Sequence, residues 1–532
     1  LGLGGLTYGL VRARDAEAGA RRETAKSQAV NRFLQDMLAS ADPALARGRE
    51  VTVRDILDEA TREIEEGSLR ERRDVEAAVR NTIGNTYRAL GLYDAAEPQL
   101  TAALELRRAP AKQDGREVAE SLHNLGRLHW AQSEYGEAEE LIGQALSVYR
   151  KDLGSENEMV RGCLNDLAVV LQSQGKYAEA EPMFEEALAL ARKLFGDSDV
   201  RVAEATNNLA TVLHFKGESA RAVQLFREAL ALNRKLLGDD HPNVLISMLN
   251  VAILVQREEP EEAEVLFRDS VEGMKKVLGP EHPTTLLAAQ SFAEFCLGRG
   301  DPDPAEKILV DALDVAERTL GRDHAQTITL LADLGWMHRV REEFAAAEPL
   351  YREVLARRER TLGNEHPDTI RAEWQVGRIL VRQGKYAEAE RIAREALSTG
   401  RRVLPVGNEN IPEALAVLGV ALTDQDRGAE AEPLLRECLE TRASTLPEGR
   451  WEVACARSAL GAALSDQGRF AEAESLLVGG YEELRANPMS PPIEVRNALA
   501  RIVEHYQDRE VVNPGSVDRA TAARWRALLT GP

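Results

Sequence analysis

The sequence predicts an all-α solenoid of stacked helix pairs, and three observations carry that prediction. The stretch Gly175-Lys-Tyr-Ala-Glu-Ala-Glu-Pro-Met-Phe-Glu-Glu-Ala-Leu188 recurs in close copies along most of the chain. Aligned on the alanine three residues after the aromatic, the copies fall at Ala96, Ala138, Ala180, Ala222, Ala263, Ala305, Ala347, Ala389, Ala431 and Ala473, 42 residues apart except for 41 between Ala222 and Ala263. A period between about 20 and 50 residues marks an array of units that each touch only their neighbours. Aromatics make up only 5% of the residues, and no stretch alternates apolar and polar residues as a strand would.

The totals bound the function. A chain of 532 residues would ordinarily hold several globular domains, but the period replaces that expectation with one elongated array. The formal net charge of −21 favours solubility and argues against nucleic acid as a partner. Cys163, Cys296, Cys438 and Cys455 lie in different units with no CxxC pair, so they are expected to pack as small hydrophobes rather than to bind zinc or form a disulfide framework.

Residues 1–11 carry no charge before Arg12. As a helix they span about 16 Å against about 30 Å of hydrocarbon, so they are expected to be the end of a truncated transmembrane helix. The alternative is a weakly apolar start or a trimmed leader. Gly2, Gly4 and Gly5 do not form a phosphate loop, since no strand precedes them and no Lys-Ser/Thr follows. Residues 12–66 read as a charged linker and capping helices. The first helix ends in Val30 to Leu38 and is broken by Asp42-Pro43; the second starts at the Thr52-Val-Arg-Asp55 capping box and carries Ile56, Leu57, Ala60 and Ile64 on one side.

Residues 67–486 hold ten helix pairs. In the second, a first helix from Ser121 to Ala131 carries Leu125 and Gly126, a turn carries Tyr135, and a second helix carries Ala138, Leu141, Ala145 and Leu146. Pro98, Pro182, Pro349 and Pro433 are expected in the first turn of the second helices, where a missing N–H costs little. Residues 487–532 are expected to cap the array with helices from Glu494 to about Gln507 and from Ala520 to Leu529.

Gly84, Tyr87, Gly91, Tyr93, Ala96 and Ala103 match the signature small and aromatic positions of the tetratricopeptide repeat, which the chain resembles over about four fifths of its length. The turns Leu237-Gly-Asp-Asp-His-Pro242, Leu278-Gly-Pro-Glu-His-Pro283 and Leu362-Gly-Asn-Glu-His-Pro367 give it the look of the 42-residue kinesin-light-chain type. The resemblance implies a right-handed superhelix that binds protein or extended peptide along the concave face of its first helices. A narrower likeness lies outside the repeats. Phe33-Leu-Gln-Asp-Met-Leu38, Ala41-Asp-Pro43, Ala46-Arg-Gly48, Val51-Thr-Val53, Leu57-Asp58, Leu477-Val-Gly-Gly-Tyr481 and Ala523-Arg-Trp-Arg-Ala-Leu-Leu529 are similar to segments flanking the repeats of bacterial membrane-spanning serine/threonine protein kinases. That implies the sensor or scaffold region of a membrane-anchored bacterial kinase whose catalytic domain is not in this chain. The alternative is a free-standing cytoplasmic adaptor. Such kinases usually hold their repeats outside the cytoplasm, whereas Arg12, Arg14, Arg21, Arg22 and Lys26 place this flank inside, so the side of the membrane is open.

No enzyme is expected from these residues. There is no Gly-rich loop with a catalytic Lys and no His-Arg-Asp loop, and Asp333-Leu-Gly335, which mimics a kinase metal-binding tripeptide, occupies the helical slot of Asn124-Leu-Gly126. His241, His282, His324 and His366 share one inter-unit turn. Metal binding would require their convergence within about 2 Å of one ion, while adjacent helices stand about 10 Å apart. They are therefore expected to cap or close turns, and neither metal nor cofactor is expected.

In tetratricopeptide arrays the position two before the small residue commonly meets bound peptide. Here it reads Thr82, Asn124, Asp166, Asn208, Asn250, Ser291, Asp333, Gln375, Val417 and Ala459. An amide donates and accepts at once, so such a ladder suits the backbone of an extended peptide. Arg371, Trp374, Arg378 and Arg382 fall on one helical stripe, with Trp336 and Arg339 in the unit before. A cationic stripe with aromatics points to an acidic, aromatic-containing peptide. The competing reading is that these arginines bridge to the acidic second helices while the tryptophans pack between units.

Overall fold

The computed structural model describes residues 52–529, apart from 110–114, 406, 448, 516 and 518, together with residues 24, 26–33 and 35. The expected transmembrane end at 1–11 and most of the expected linker lie outside the described residues. Among those described, no helix is long and apolar enough to cross a membrane, and all regular structure is helical.

The chain divides into two compact units, residues 1–255 and 256–532. The first holds α1 (Val53–Glu65), α2 (Arg73–Ala89), α3 (Tyr93–Arg108), α4 (Gly115–Ala131), α5 (Tyr135–Leu153), α6 (Glu158–Ser173), α7 (Tyr177–Phe195), α8 (Val200–Phe215), α9 (Ser219–Leu237) and α10 (Pro242–Val255). The second holds α11 (Pro260–Val277), α12 (Pro283–Gly298), α13 (Pro302–Thr319), α14 (Ala325–Val340), α15 (Phe344–Leu362), α16 (Pro367–Arg382), α17 (Tyr386–Val403), α18 (Asn410–Thr423), α19 (Gly428–Thr445), α20 (Trp451–Asp466), α21 (Phe470–Ala486), α22 (Pro492–Val512) and α23 (Arg519–Leu529).

Within each unit consecutive helices pack on one another, as in a tetratricopeptide-type solenoid. The small residues explain the close approach inside a pair: a Cβ added at Gly84 would lie 2.6 Å from Leu100 Cγ, and one at Gly126 would lie 2.6 Å from Ile142 Cγ1. Ala138 and Ala145 on α5 are fully buried. Successive first helices also touch directly, α2 with α4 and α4 with α6 in the first unit, and α16, α18, α20 and α22 in sequence in the second. The first helices of each unit therefore line its inner face.

The period is written into the turns as well as the core. Asn157, Asp199, His241, His282, His324, His366 and Asn408 each accept, through the side chain, the backbone N–H two residues on. The four histidines are thus used locally as caps, as expected. The turn inside each pair places one residue at positive φ: Gly91, Ser133, Gly175, Gly217, Gly300, Glu342, Gly384, Asp426 and Gly468. At Ser133, Glu342 and Asp426 a side chain occupies the left-handed region, which costs on the order of 1 kcal/mol each. The connection from α10 to α11 departs from this pattern: the interval across it is shorter by a residue, Glu259 has φ −132°, and the boundary between the two units falls there.

Two expectations at the N-terminal end are met. Asp55 N–H donates to Thr52 Oγ1 (3.2 Å) and Thr52 N–H to Asp55 Oδ2 (2.9 Å), completing the capping box, and α1 buries Ile56, Leu57, Ala60 and Ile64. One expectation about proline is corrected. These second helices start three residues before the aligned alanine, at Tyr93, Tyr177, Phe344 and Gly428, so Pro98, Pro182, Pro349 and Pro433 fall inside the helix rather than in its first turn. At Pro98 the ring removes the bond that the Asp94 carbonyl would otherwise accept. At the other end Trp525 of α23 is buried with its ring edge-on to Tyr481 at 5.6 Å.

Candidate peptide-binding face

The inner face of the first unit carries a continuous polar ladder. Asn124 Nδ2 donates to Asn81 Oδ1 (3.1 Å), His123 Nε2 meets Asp166 Oδ2 (2.8 Å), Asn208 Nδ2 donates to Asn165 Oδ1 (2.8 Å), and Asn250 Nδ2 donates to Asn207 Oδ1 (3.1 Å). Each rung joins one first helix to the next, so the four rungs run from α2 through α4, α6 and α8 to α10. The helical repeat explains the geometry: partners lie 43 residues apart, one repeat plus one residue. Sequence reasoning found one side of each rung, Asn124, Asp166, Asn208 and Asn250. It missed the other, Asn81, His123, Asn165 and Asn207, although these polar residues recur at the same period one position earlier.

The rungs differ in what they leave free. Among the described residues the Oδ1 atoms of Asn124, Asn208 and Asn250 accept no hydrogen bond within the chain, and each amide keeps a second N–H. Their orientation is set by the rung, which removes part of the entropy that a mobile side chain would lose on binding. Asp166 is instead fully engaged: Asn165 Nδ2 donates to its Oδ1 at 3.2 Å, and Arg127 Nε lies 3.5 Å from its Oδ2. Burial alone would push its carboxyl up, but His123, Arg127 and Asn165 outweigh this and hold it below the ordinary carboxylate value.

In the second unit the expected residues take other roles. Asp333 on α14 has a buried Oδ2 with no hydrogen-bond partner among the described residues. Burial, helped by the charge of Glu294, pushes its carboxyl up to about 8 against the opposing effects of Gln290 and Arg358. At neutral pH Asp333 is therefore a carboxylic acid, able like an amide to donate and accept. Gln375 Oε1 on α16 is also buried without a partner, and Trp336 on α14 is half-buried.

The arginines of the stripe on α16 all have partners within the chain. Arg371 pairs with Glu409 at 3.1 Å and with Asp368 at 3.4 Å. Arg378 pairs with Glu413 and stacks 4.7 Å from the Trp374 ring centroid. Arg382 Nη1 donates to Asn497 Oδ1 and its guanidinium lies 5.2 Å from the Phe344 ring. Trp374 is buried in the core of the second unit and donates its Nε1–H to Asn410 Oδ1 at 3.0 Å. As in the competing reading, the arginines are paired and Trp374 packs between repeats, but the acids lie elsewhere: Glu409 and Glu413 stand at the start of the next first helix, not on second helices.

Glu413 holds this region together. Its carboxylate takes both Arg378 of α16 and Arg442 of α19, whose Nη1 also donates to the Glu452 carbonyl at 3.0 Å. Burial would raise the Glu413 carboxyl, yet the two guanidinium charges more than reverse that and keep it ionised.

Comparison with known families decides what the array is. Residues 75–151, 160–235, 201–276, 253–317, 284–359 and 337–401 match one tetratricopeptide repeat model, and 413–449 and 456–478 match two others of the same description; together the matches span more than half of the chain. The chain belongs to the tetratricopeptide repeat family. No curated protein matches it. Among solved structures, this tetratricopeptide array is similar to BtubC (BKLC) from P. vanneervenii at 22% identity over 42% of this chain and 91% of that one, with a TM-score of 0.38. It is also similar to a Podospora anserina putative kinesin light chain at 21% identity, covering 38% of this chain and 96% of that one, TM-score 0.33. The apo form of the quorum sensor NprR from B. thuringiensis aligns over 71% of this chain and 99% of its own at 12% identity, TM-score 0.49. These likenesses concern the fold. Membership in the family makes the chain a protein-interaction scaffold.

Proposed function

We propose that this tetratricopeptide array binds the backbone of an extended peptide along the first helices of residues 73–255, through the amides of Asn124, Asn208 and Asn250. The observation that carries the reading is the ladder of rungs from Asn81 to Asn250, which orients three amides and leaves their carbonyl oxygens unbonded. Each bond to peptide nets about 1 kcal/mol, so the three together account for about a hundredfold in affinity. The test is calorimetry with a synthetic extended peptide selected for binding to the intact chain. The Asn124→Ala/Asn208→Ala/Asn250→Ala variant is expected to bind it about a hundredfold more weakly while keeping the helical circular dichroism of the parent. Unchanged affinity would remove the ladder from the site.

We further propose that the chain is the sensor or interaction region of a membrane-anchored bacterial serine/threonine kinase. The segments 33–58, 477–481 and 523–529 support this reading through their likeness to that class. Reading the coding sequence upstream of Leu1 tests it: a His-Arg-Asp catalytic loop followed by an apolar span is expected. A start codon within a few residues of Leu1 would leave the free-standing adaptor instead.

A further inference from the structure

The last helix pair, α20 and α21, is covered by α22, which packs on both, and α23 packs on α22 in turn. A titratable group lies inside this cap. His505 on α22 is 1% exposed, and its Nδ1 stands 2.8 Å from the Oγ of Ser465 on α20, itself buried. The other ring nitrogen, Nε2, is buried with no hydrogen-bond partner among the described residues. Aromatic rings flank the imidazole: Phe470 at the start of α21 stands 5.7 Å away at 67°, and Tyr506 stands 5.1 Å away at 72°. The Tyr506 hydroxyl is committed to Glu474 Oε1 of α21 at 2.7 Å, and Glu474 Oε2 takes Arg509 Nη1 at 2.9 Å.

This setting suits one protonation state. A neutral imidazole carries one N–H and one lone pair, and the Ser465 hydroxyl can serve either of them at Nδ1. The protonated ring carries two N–H groups and a charge, with a single acceptor in reach. A buried charged donor left without a partner costs more than a neutral one. Burial accordingly pushes the His505 imidazole below its ordinary value; Glu474 on α21 opposes this and Arg509 on α22 adds to it. α20 presents the Ser465 hydroxyl to the ring, and no charge from α23 acts on it.

We infer that His505 makes this cap acid-labile: protonation of the imidazole releases α22 and α23 from α20 and α21 and uncovers Phe470 and Tyr481, against which His505 and Trp525 pack. The sign follows from linkage. In an opened cap the imidazole binds its proton at about pH 6.5, while the closed cap binds it only at lower pH. Between those values the open state holds a proton that the closed state lacks, so closure is fully stable above the window and weakens as pH falls through it. Glu504 and Asp508 on the same helix act in the opposite sense. Loss of hydration, with the charge of Asp424 acting on the first and those of Asp466 and Asp426 on the second, pushes their carboxyls up, which favours closure as pH falls. These carboxyls are shared by any two proteins that differ only at His505, so a comparison of such a pair isolates the imidazole.

The test is amide hydrogen exchange of the full chain at pH 7 and pH 5, corrected for the chemical exchange rate, in the parent and in His505→Gln. A closed cap that excluded the proton entirely would open up to about thirtyfold more often at pH 5. On going from pH 7 to pH 5, exchange in residues 498–510 is expected to speed up at least fivefold more in the parent than in the variant, with α2 to α10 responding alike in both. An equal response in residues 498–510 would overturn the inference. His505→Phe, which keeps a ring and takes no proton, is the second neutral replacement should His505→Gln not fold at pH 7. NMR titration of labelled histidine in the parent gives an independent reading, with His505 identified as the imidazole signal that the variant lacks. It is expected to remain neutral at pH 6, and a His505 signal that titrates at or above the exposed value of about 6.5 would overturn the inference.

Discussion

Glu413→Ala is expected to destabilise helices α18 to α20 by about 3 kcal/mol, read as faster hydrogen exchange there. The reason lies in what the substitution leaves behind. Arg378 and Arg442 both point at the Glu413 carboxylate, and Arg442 keeps only 7% of its side-chain surface in water. Removing the carboxylate strands two guanidinium groups against each other, and breaking one partner out of a buried charge cluster costs more than the cluster itself contributes. Removing Arg378 instead leaves Glu413 with Arg442, so Arg378→Met is expected to cost clearly less. Local exchange is the right readout, because opening in an array of repeats need not be a single cooperative event. Equal effects of the two substitutions would show that the pairs act independently.

Asp333→Asn is expected to stabilise the second unit by a few kcal/mol above pH 8 and to change little near pH 4. The sign follows from the carboxyl being raised to about 8 in the fold against about 3.9 in an unfolded chain. Between those values the folded state holds a proton that the unfolded state has released, so stability falls as pH rises across the window. Asparagine has no proton to lose and removes that slope. Glu373, pushed up to about 7 by burial and then by the charges of Glu395 and Glu359, acts in the same direction. Thermal unfolding of parent and variant between pH 4 and 9 checks the expectation; parallel profiles would show that Asp333 ionises freely.

The fold was legible because the period repeats the residues that do the packing. Gly126 facing Ile142, the side-chain cap recurring once per repeat from Asn157 to Asn408 and the capping box at Thr52 are local or periodic features. Half of the ladder was legible for the same reason. The other half required knowing that first helices lie side by side with an offset of one residue, which brings Asn81 to Asn124. The proline positions were misread because the second helix starts three residues before the aligned alanine, not at it. The fate of the arginine stripe was not legible. Arg378 meets Glu413 because α16 and α18 touch, and a sequence laced with charges at every repeat offers many equivalent partners. The contact between Arg496 and Glu342 leaves no local trace at all, since it depends on how the first helices of the second unit wind. The break between units had one faint signal, the single 41-residue interval.

The central claim is that the first unit reads peptide backbone rather than side chains. The measurement that tests it most directly is binding of a selected extended peptide in two modified forms, one N-methylated at alternate peptide bonds and one with its outward side chains replaced by alanine. Backbone recognition by Asn124, Asn208 and Asn250 predicts that methylation in the register facing the ladder abolishes binding in the parent, that methylation one residue out of register does not, and that alanine replacement costs less than tenfold. Binding that survives methylation in both registers, or that is lost on alanine replacement alone, would contradict it.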